Sequence, residues 1–196
     1  MRSTTLPTSP IAGLCTVDLL VGGEAVLQRF FEANPAYFIA VNGGPAGPGE
    51  AREEIHGPLP AGYAHTKKWV FGYADASGEL VAMANVITDL LAPRVWHIGS
   101  FIVATARHGS GDAQTLHRSL EDWARSNGAL WLRLGVVQGN ARAERFWRQM
   151  GFVDGSTRPG TVMGRLTQTV QVMAKPLTDV GLEAYFELLP RDRPAA

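Results

Sequence analysis

The spacing of apolar residues differs between the two halves of this chain of 196 residues. In the first half, apolar residues recur at helical spacing over residues 24–34 and predict a helix that ends before Pro35. The apolar run YFIAV at residues 37–41 predicts a short strand. Three further strands are predicted in succession, at residues 69–74, 80–88 and 95–104.

Helical periods dominate the second half. Apolar residues at helical spacing over residues 112–126 and 140–150 predict two helices, and each is followed by a glycine suited to a helix C-terminus. Strands are predicted between and after these helices, at residues 130–137, from residue 152 and at residues 168–174. Three strands are thus followed by alternating helices and strands.

The length predicts one domain, since domains typically hold about 100–200 residues. We expect a flexible arm at residues 1–13, a single domain at residues 14–176 and a C-terminal extension at residues 177–196. Residues 43–60 are rich in Pro and Gly and predict a long loop that could hold one or two helical turns. Long ordered loops in compact domains tend to be functional.

The amino-acid composition excludes several classes to which this protein could belong. The 18 basic and 18 acidic residues give no net charge, so nothing favours nucleic acid or a membrane surface as partner. The single cysteine, Cys15, permits no intrachain disulfide and no cysteine-based zinc site. No apolar run approaches the roughly 20 residues that span a bilayer. We therefore expect a cytoplasmic protein, a monomer or homodimer, that holds no metal.

A glycine loop precedes the helix at residues 112–126. Gly109 and Gly111 leave room for backbone N–H groups to converge on a ligand, and the helix N-terminus adds positive partial charge. This arrangement suits a pyrophosphate, to which Arg107 and His108 could add donors. A tight loop without a ligand is the alternative.

Two better-known phosphate loops do not fit. A Walker loop ends in Gly-Lys-Ser/Thr, and this triplet does not occur in the chain. A dinucleotide fingerprint needs a third glycine where Gln114 stands and begins with strand-helix-strand, whereas three strands come first here.

A second motif changes the picture. Residues 138–152 read QGNARAERFWRQMGF, and the pattern Asn-x-x-Ala-x-x-Phe-Trp-x-x-x-Gly-Phe lies about thirty residues after the glycine loop. Together the two motifs resemble the GCN5-related N-acetyltransferases, the GNAT superfamily. The resemblance covers residues 69–175 and, less securely, the first helix.

The resemblance implies an α/β fold whose mixed sheet is splayed at its centre, with acetyl-coenzyme A (acetyl-CoA) in the splay. The pantetheine arm would pair with a strand edge, the pyrophosphate would bind the glycine loop, and Asn140, also a candidate helix N-cap, would lie near the acetyl end. The implied cofactor-binding residues are Phe101, Ile102, Val103, Arg107, His108, Gly109, Ser110, Gly111, Asp112, Ala113, Asn140, Ala143 and Trp147.

Two positions depart from the family pattern. Ala106 stands where the loop usually begins with Gln or Arg, for which Arg107 could compensate. Trp147 stands where many relatives carry a tyrosine that protonates the departing thiolate. An indole N–H can donate a hydrogen bond but cannot act as an acid at neutral pH. These departures motivate the alternative of a non-catalytic acyl-CoA-binding sensor or partner module.

The remaining candidates concern the acceptor amine and its proton. His97, Asp89 and Glu54 are the candidate general bases, and His97 is the one whose ordinary pKa lies near neutrality. The alternatives are a half-buried strand histidine, a turn aspartate and a solvated loop glutamate. The candidate acceptor-binding residues are Tyr37, Glu54, Tyr63 and Trp96.

The expected activity is acetyl transfer from acetyl-CoA to a primary amine, by direct attack on the thioester. Without acidic clusters in the sequence, a small amine or an amino-acid-like molecule fits better than a polyamine or a basic protein tail.

Overall fold

The computed structural model describes residues 5–195, which form one seven-stranded mixed sheet. Strands β1 to β7 span Cys15–Asp18, Lys67–Ala74, Leu80–Thr88, Val95–Val103, Trp131–Val137, Val153–Met163 and Leu166–Pro176. Their order across the sheet is β1-β2-β3-β4-β5-β7-β6. Neighbouring strands are antiparallel except β4 and β5, which are parallel. The predicted α/β class with a mixed sheet is confirmed.

Helices cover both faces of the sheet. Helices α1 to α6 span Glu24–Ala33, Pro35–Asn42, Glu50–His56, Asp112–Ser126, Ala141–Gln149 and Leu182–Leu188. Helices α4 and α5 bury their apolar residues against one face, in a core cluster that contains Trp96, Trp123 and Trp147. Helices α1, α2 and α3 pack on the other face, against residues such as Val70 and Met83. None of the helices in residues 5–195 combines the length and the apolar composition of a membrane span.

The predicted strand at residues 37–41 is wrong, because this segment lies inside α2. Pro35 occupies the first turn, where its fixed backbone angle favours a helix and its missing N–H costs nothing. Phe38 and Val41, three residues apart, are buried on one side. Gly43 ends the helix with a φ of 77°, in the left-handed region that glycine adopts readily.

The strand predicted from residue 152 proves much longer than the two residues that suggested it. Strand β6 runs to Met163 and pairs with β7 in an antiparallel hairpin with two register irregularities. Its sequence, VDGSTRPGTVM, is mostly polar or small, so the alternation of burial is weak in the sequence. The other predicted strands and helices agree with the structure to within a few residues.

Both terminal segments contact the sheet and its helices. Trp123 Nε1 donates a hydrogen bond to the Thr5 carbonyl at 2.6 Å, and Ser119 Oγ donates one to Thr8 at 2.8 Å. Near the other end, Asp192 is buried and accepts a hydrogen bond from Arg133 Nε at 2.7 Å. Residues 1–4 of the expected arm lie outside the described residues, and the domain boundaries stay predictions.

The central feature of the sheet is the separation of β4 from β5. The two strands pair only from Val95 with Trp131 to Ile98 with Leu134. At Gly99 the register of β4 shifts against β3, which marks a β-bulge. Beyond it, β4 stays on β3 and β5 stays on β7, so the edges that would pair with each other diverge.

Candidate active site

A cavity of about 300 Å³ lies where β4 and β5 diverge. Phe101, Asn140 and Trp147 line it on the side of α4 and α5. Tyr37 and Met163 line it on the opposite side, where α2 and the β6–β7 hairpin lie. The cavity therefore connects the two faces of the sheet.

The glycine loop at one end of this cavity is an anion-binding arrangement. Gly109 and Gly111 have φ angles of 85° and 89°, which side-chain-bearing residues rarely adopt. Among residues 5–195, the N–H groups of Gly109, Gly111 and Ala113 have no hydrogen-bond partner. Free N–H groups at the start of a 15-residue helix attract a phosphate through both hydrogen bonding and the helix dipole.

The side chains of Arg107, His108 and Asp112 form contacts within the protein. Arg107 Nη1 lies 2.7 Å from Asp112 Oδ2, so the guanidinium neutralises a carboxylate that would otherwise repel a phosphate. His108 Nε2 donates to the Val103 carbonyl at 3.0 Å, and burial together with Arg142 lowers the pKa of His108. His108 is therefore neutral at pH 7, and the backbone supplies most of the attraction.

The start of α5 serves two purposes. Asn140 Oδ1 accepts a hydrogen bond from the Ala143 N–H at 3.2 Å, which makes Asn140 the helix N-cap. Glu144 Oε1 accepts one from the Gly139 N–H at 2.8 Å and fixes the turn before the helix. Asn140 also lines the cavity, and its Nδ2 group has no partner within residues 5–195. Capping and ligand binding are compatible at this position.

Aromatic rings form the cavity wall beside Asn140. The ring of Trp147 lies 4.9 Å from that of Phe146 and 6.0 Å from that of Phe101, measured between centroids. Trp147 is 8% exposed, and its Nε1 makes no hydrogen bond to the described residues. Asn140 and Trp147 thus share the cavity face, as their spacing of seven residues predicts.

The opposite side of the cavity is closed by chain segments distant in sequence. Tyr37 comes from α2 and Ser100 from β4, and both line the cavity. Burial first, and then the charge of Glu54, raise the pKa of Tyr37, whereas a hydrogen bond with Ser100 acts in the opposite direction. The tip of the β6–β7 hairpin is fixed to α2 by a hydrogen bond from the Arg165 N–H to the Asn42 carbonyl at 2.9 Å.

The sequence matches the acetyltransferase (GNAT) family over residues 27–152, well over half of the chain. This match includes the glycine loop, α5 and both strands that diverge. The chain belongs to the GNAT acetyltransferase family. It is therefore an acyltransferase, and the resemblance noted from its motifs is confirmed. No curated protein sequence matches the chain significantly.

Solved structures show the same fold at low sequence identity. The ribosomal-protein-S18-alanine N-acetyltransferase from Escherichia coli is 16% identical, with 86% of this chain and 96% of that chain covered and a TM-score of 0.60. A spermidine N-acetyltransferase from Vibrio cholerae, solved with CoA and spermine, is 18% identical over 85% and 97%, with a TM-score of 0.63. A GCN5-related N-acetyltransferase from Kribbella flavida is 23% identical over 84% and 98%, with a TM-score of 0.59.

In this GNAT fold, His97 does not stand where a general base is needed. It lies outside the cavity lining, and Arg133 Nη1 contacts its Nδ1 at 3.2 Å. Since a guanidinium can only donate, Nδ1 must be the accepting nitrogen and Nε2 carries the proton. Burial and the charge of Arg133 lower the pKa of His97 to about 3. The lone pair of Nδ1 already accepts a hydrogen bond from Arg133, so His97 is poorly suited to take a proton from the acceptor amine.

The structure separates the other candidates for the acceptor side. Asp89 closes a turn, where its carboxylate accepts hydrogen bonds from Thr66 Oγ1 at 2.7 Å and the Arg94 N–H at 2.6 Å. Trp96 points to the α4 face, is 5% exposed and packs on Trp123. Tyr63 contacts Arg191 through its hydroxyl at 3.3 Å and does not line the cavity. Tyr37 and Glu54 are the two that lie close together.

Several residues of the site were missed by the sequence analysis. The cavity is also lined by Asn34, Gly99, Ser100, Arg142 and Met163. A lone glycine within a predicted strand is a signal for a β-bulge, so Gly99 could have been found. Asn34 could not have been found from the sequence, because the contact that places it is distant in sequence. Its Oδ1 accepts a hydrogen bond at 2.7 Å from the N–H of Thr105, 71 residues away.

Proposed function

We propose that this protein transfers the acetyl group of acetyl-CoA to the primary amine of a small-molecule acceptor. The observation that carries the proposal is the cavity between β4 and β5, which joins the glycine loop on one face to a space lined by Tyr37 and Met163 on the other. A thioester held from the first side meets an amine entering from the second. The volume of about 300 Å³ suits an extended arm and a small acceptor.

The residues proposed to hold the cofactor fall into three groups. The N–H groups of Gly109, Gly111 and Ala113 would bind the pyrophosphate. The free edge of β4 at residues 101–103 would pair with the pantetheine arm, as an added strand does. Asn140 Nδ2 and the aromatic wall would surround the thioester.

The proposed reaction is direct attack. The amine nitrogen bonds to the acetyl carbon, and backbone N–H groups of the β4 edge stabilise the oxyanion of the tetrahedral intermediate. The C–S bond then breaks, the thiolate leaves and the nitrogen loses its extra proton to water. Trp147 Nε1 can donate a hydrogen bond to the departing group, and water supplies the proton that an indole cannot.

A covalent acetyl-enzyme is not part of the proposal. The thiol of Cys15 is exposed on β1, which lies at the edge of the sheet, three strands from β4. Mass spectrometry after incubation with acetyl-CoA alone should show no stable gain of an acetyl group, and Cys15→Ala should retain activity. An acetylated intermediate that disappears on adding acceptor would contradict direct transfer.

The primary test measures binding and turnover separately. Isothermal titration should give micromolar binding of acetyl-CoA, and thiol release should be seen with some members of a panel of small amines, amino acids and aminoglycosides. Tight binding without thiol release across the panel would favour a sensor or partner module instead. The acceptors of the Escherichia coli and Vibrio cholerae proteins differ in kind, so the acceptor class must be argued from this chain's own residues.

A further inference from the structure

Uncharged side chains form the acceptor side of the cavity, where α2 and the β6–β7 hairpin lie. Helix α2 contributes Tyr37, Ala40 and Val41, and the hairpin contributes Met163. Ser100 of β4 lies beside Tyr37 and adds a hydroxyl group. Burial raises the pKa of the Tyr37 hydroxyl, which therefore stays neutral. An acceptor that enters from this side meets apolar atoms and two hydroxyl groups.

The charge in the cavity lining lies at the glycine-loop end. Among the residues of the described chain that line the cavity, there is no carboxylate and no lysine. Arg142, from the first turn of α5, is the arginine of the lining. Burial and the charge of Arg142 lower the pKa of His108, which places this guanidinium beside the glycine loop. Positive charge there suits the proposed pyrophosphate and leaves the acceptor side without a fixed charge.

The carboxylates nearest to Tyr37 belong to the protein's own hydrogen bonds. The charges of Glu54 and Glu50 act on Tyr37, but neither glutamate lines the cavity. Glu54 Oε1 accepts a hydrogen bond from Asn85 Nδ2 at 2.8 Å, and Glu50 Oε1 accepts one from Asn42 Nδ2 at 3.3 Å. A second ammonium group on the acceptor would therefore find no carboxylate in the cavity wall.

The arginines of β5 and β6 are likewise outside the cavity lining. Arg133 Nε donates to Asp192 at 2.7 Å, and Arg158 Nη2 donates to the same carboxylate at 2.9 Å. These two guanidinium groups are held by the buried aspartate, so they are not placed to bind a carboxylate of the acceptor.

Such a wall selects acceptors by what they carry besides the reacting amine. A charge that leaves water without a partner is costly, whereas an alkyl group gains free energy by leaving water. The reacting nitrogen must be an uncharged amine when it attacks, and burial in uncharged surroundings favours that form. Because the cavity of about 300 Å³ also holds the acyl arm, the space left suits a short group.

We propose that the acceptor is a primary amine whose remaining part is a short, uncharged, apolar group, and that this group packs on Ala40 and Met163. This inference rests on the proposed acetyltransferase function and assigns its acceptor class. It sets aside the amino-acid-like acceptor expected from the sequence, because such a molecule carries a carboxylate.

Three acceptors with the same amine and the same four-carbon chain test the class. Butylamine ends in a methyl group, 1,4-diaminobutane in a second ammonium group and 4-aminobutanoate in a carboxylate. With saturating acetyl-CoA, thiol release should give a kcat/KM at least about 30-fold higher for butylamine than for either charged analogue, because an unpaired charge resists burial.

The length of the alkyl group provides a second measurement. From ethylamine to propylamine to butylamine, kcat/KM should rise about fourfold for each methylene group, the factor expected when a methylene group is transferred from water to an apolar surface. A kcat/KM that does not change with chain length would show that the alkyl group stays in water, and would overturn the inference.

A pair of adjacent variants tests the placement. Met163→Glu puts a carboxylate into the cavity wall and should shift the ratio of kcat/KM for 1,4-diaminobutane over butylamine at least about tenfold toward the diamine. Val162 is 74% exposed and does not line the cavity, so Val162→Glu is the matched control, and it should change that ratio less than about twofold. Ala40→Glu, from α2, should act in the same direction as Met163→Glu. Acetyl-CoA binding by titration should be the same in all three variants.

The outcomes separate this inference from the proposed function. Equal or better use of a charged analogue, thiol release from a wider amine panel that excludes butylamine, or equal ratios in Met163→Glu and Val162→Glu would overturn the inference and leave the acetyltransferase function intact. Absence of thiol release with every amine, despite acetyl-CoA binding, would overturn both.

Discussion

One side of the cavity presents backbone groups, and the other side presents side chains. On the side of the glycine loop, the groups proposed to bind the cofactor are backbone N–H groups, at Gly109 and Gly111 and at the start of α4. On the opposite side, the cavity is lined by side chains from α2 and the β6–β7 hairpin. The first set is contiguous in sequence, and the second is assembled by the fold.

This difference predicts that the two sides respond differently to substitution. A backbone cradle depends on conformation and tolerates many side chains, as long as the left-handed positions remain glycine. A chamber of side chains changes its chemistry with each substitution. Acetyl-CoA binding should therefore depend on few residues in this chain, and acceptor selectivity on many.

The largest effect is expected from the buried ion network behind the acceptor face. Asp192 is fully buried and accepts hydrogen bonds from Arg133 and from Tyr185 Oη at 2.6 Å. Burial raises the pKa of Asp192, but the hydrogen bond and charge of Arg133, the hydrogen bond from Tyr185 and the charge of Arg158 together outweigh it and lower the pKa. Asp192→Ala should lower the free energy of unfolding by about 3–5 kcal/mol, because Arg133 is left buried and unpaired.

Urea denaturation measures this loss, and the exposed ion pair of Asp122 with Arg125 supplies the control. Asp122→Ala should cost less than about 1 kcal/mol, since exposed pairs contribute little. Equal losses in the two variants would mean that the network does not hold this side of the sheet together.

The second effect concerns the glycine loop. Gly111 has a φ of 89° at the start of α4, and Gly128 has a φ of 97° at its end. Gly111→Val should weaken acetyl-CoA binding about 100-fold, or about 2.7 kcal/mol, because a β-branched residue cannot hold the N–H group in place. Gly128→Val imposes similar backbone strain far from the loop and should leave the Kd unchanged. Isothermal titration distinguishes them, and equal Kd values for the two variants would contradict the cradle.

Features that are contiguous in sequence could be predicted, whereas features assembled from distant segments could not. The strand at Leu80–Thr88 and the helix at Asp112–Ser126 follow from regular apolar spacing, and the glycine loop follows from two residues beside a helix start. The motif at residues 138–152 then identified the family that the comparison shows. Each of these signals lies within one contiguous stretch.

The acceptor side had no such signal. The bond between Glu54 and Asn85 spans 31 positions, so no local pattern predicts it. Trp96 and His97 are adjacent in sequence, yet strand alternation places them on opposite faces, one packed on Trp123 and the other beside Arg133. The sequence contains all of these residue types but does not say which face each would occupy.

A smaller effect is expected from His117, on the cofactor side. It is fully buried among aromatic rings, and within residues 5–195 neither ring nitrogen has a hydrogen-bond partner; Glu121 lies 4.0 Å away. Burial, Lys175 and Arg118 lower the pKa of His117 to about 3. The unfolded chain therefore binds a proton that the folded chain excludes, and stability is lost as pH falls below about 6.5.

Between pH 7 and pH 5 this linkage amounts to about 2 kcal/mol. His117→Leu should reduce the difference in unfolding free energy between these pH values by that amount, as measured by urea denaturation at both. Substitution of the exposed His65 by Gln should not change it. A wild-type-like pH dependence in His117→Leu would show that the buried ring is not the group responsible.

The smallest effect is expected at His97, and it sharpens the contrast between the two sides. Because Nδ1 already accepts from Arg133, an Asn side chain can supply the same acceptor with its Oδ1. His97→Asn should keep kcat/KM for an aliphatic amine within about threefold, below about 0.7 kcal/mol, with the same pH dependence as the wild type. Kinetics from pH 6 to pH 9 measure both the rate and its pH dependence. A tenfold loss in His97→Asn confined to low pH would return the role of base to His97.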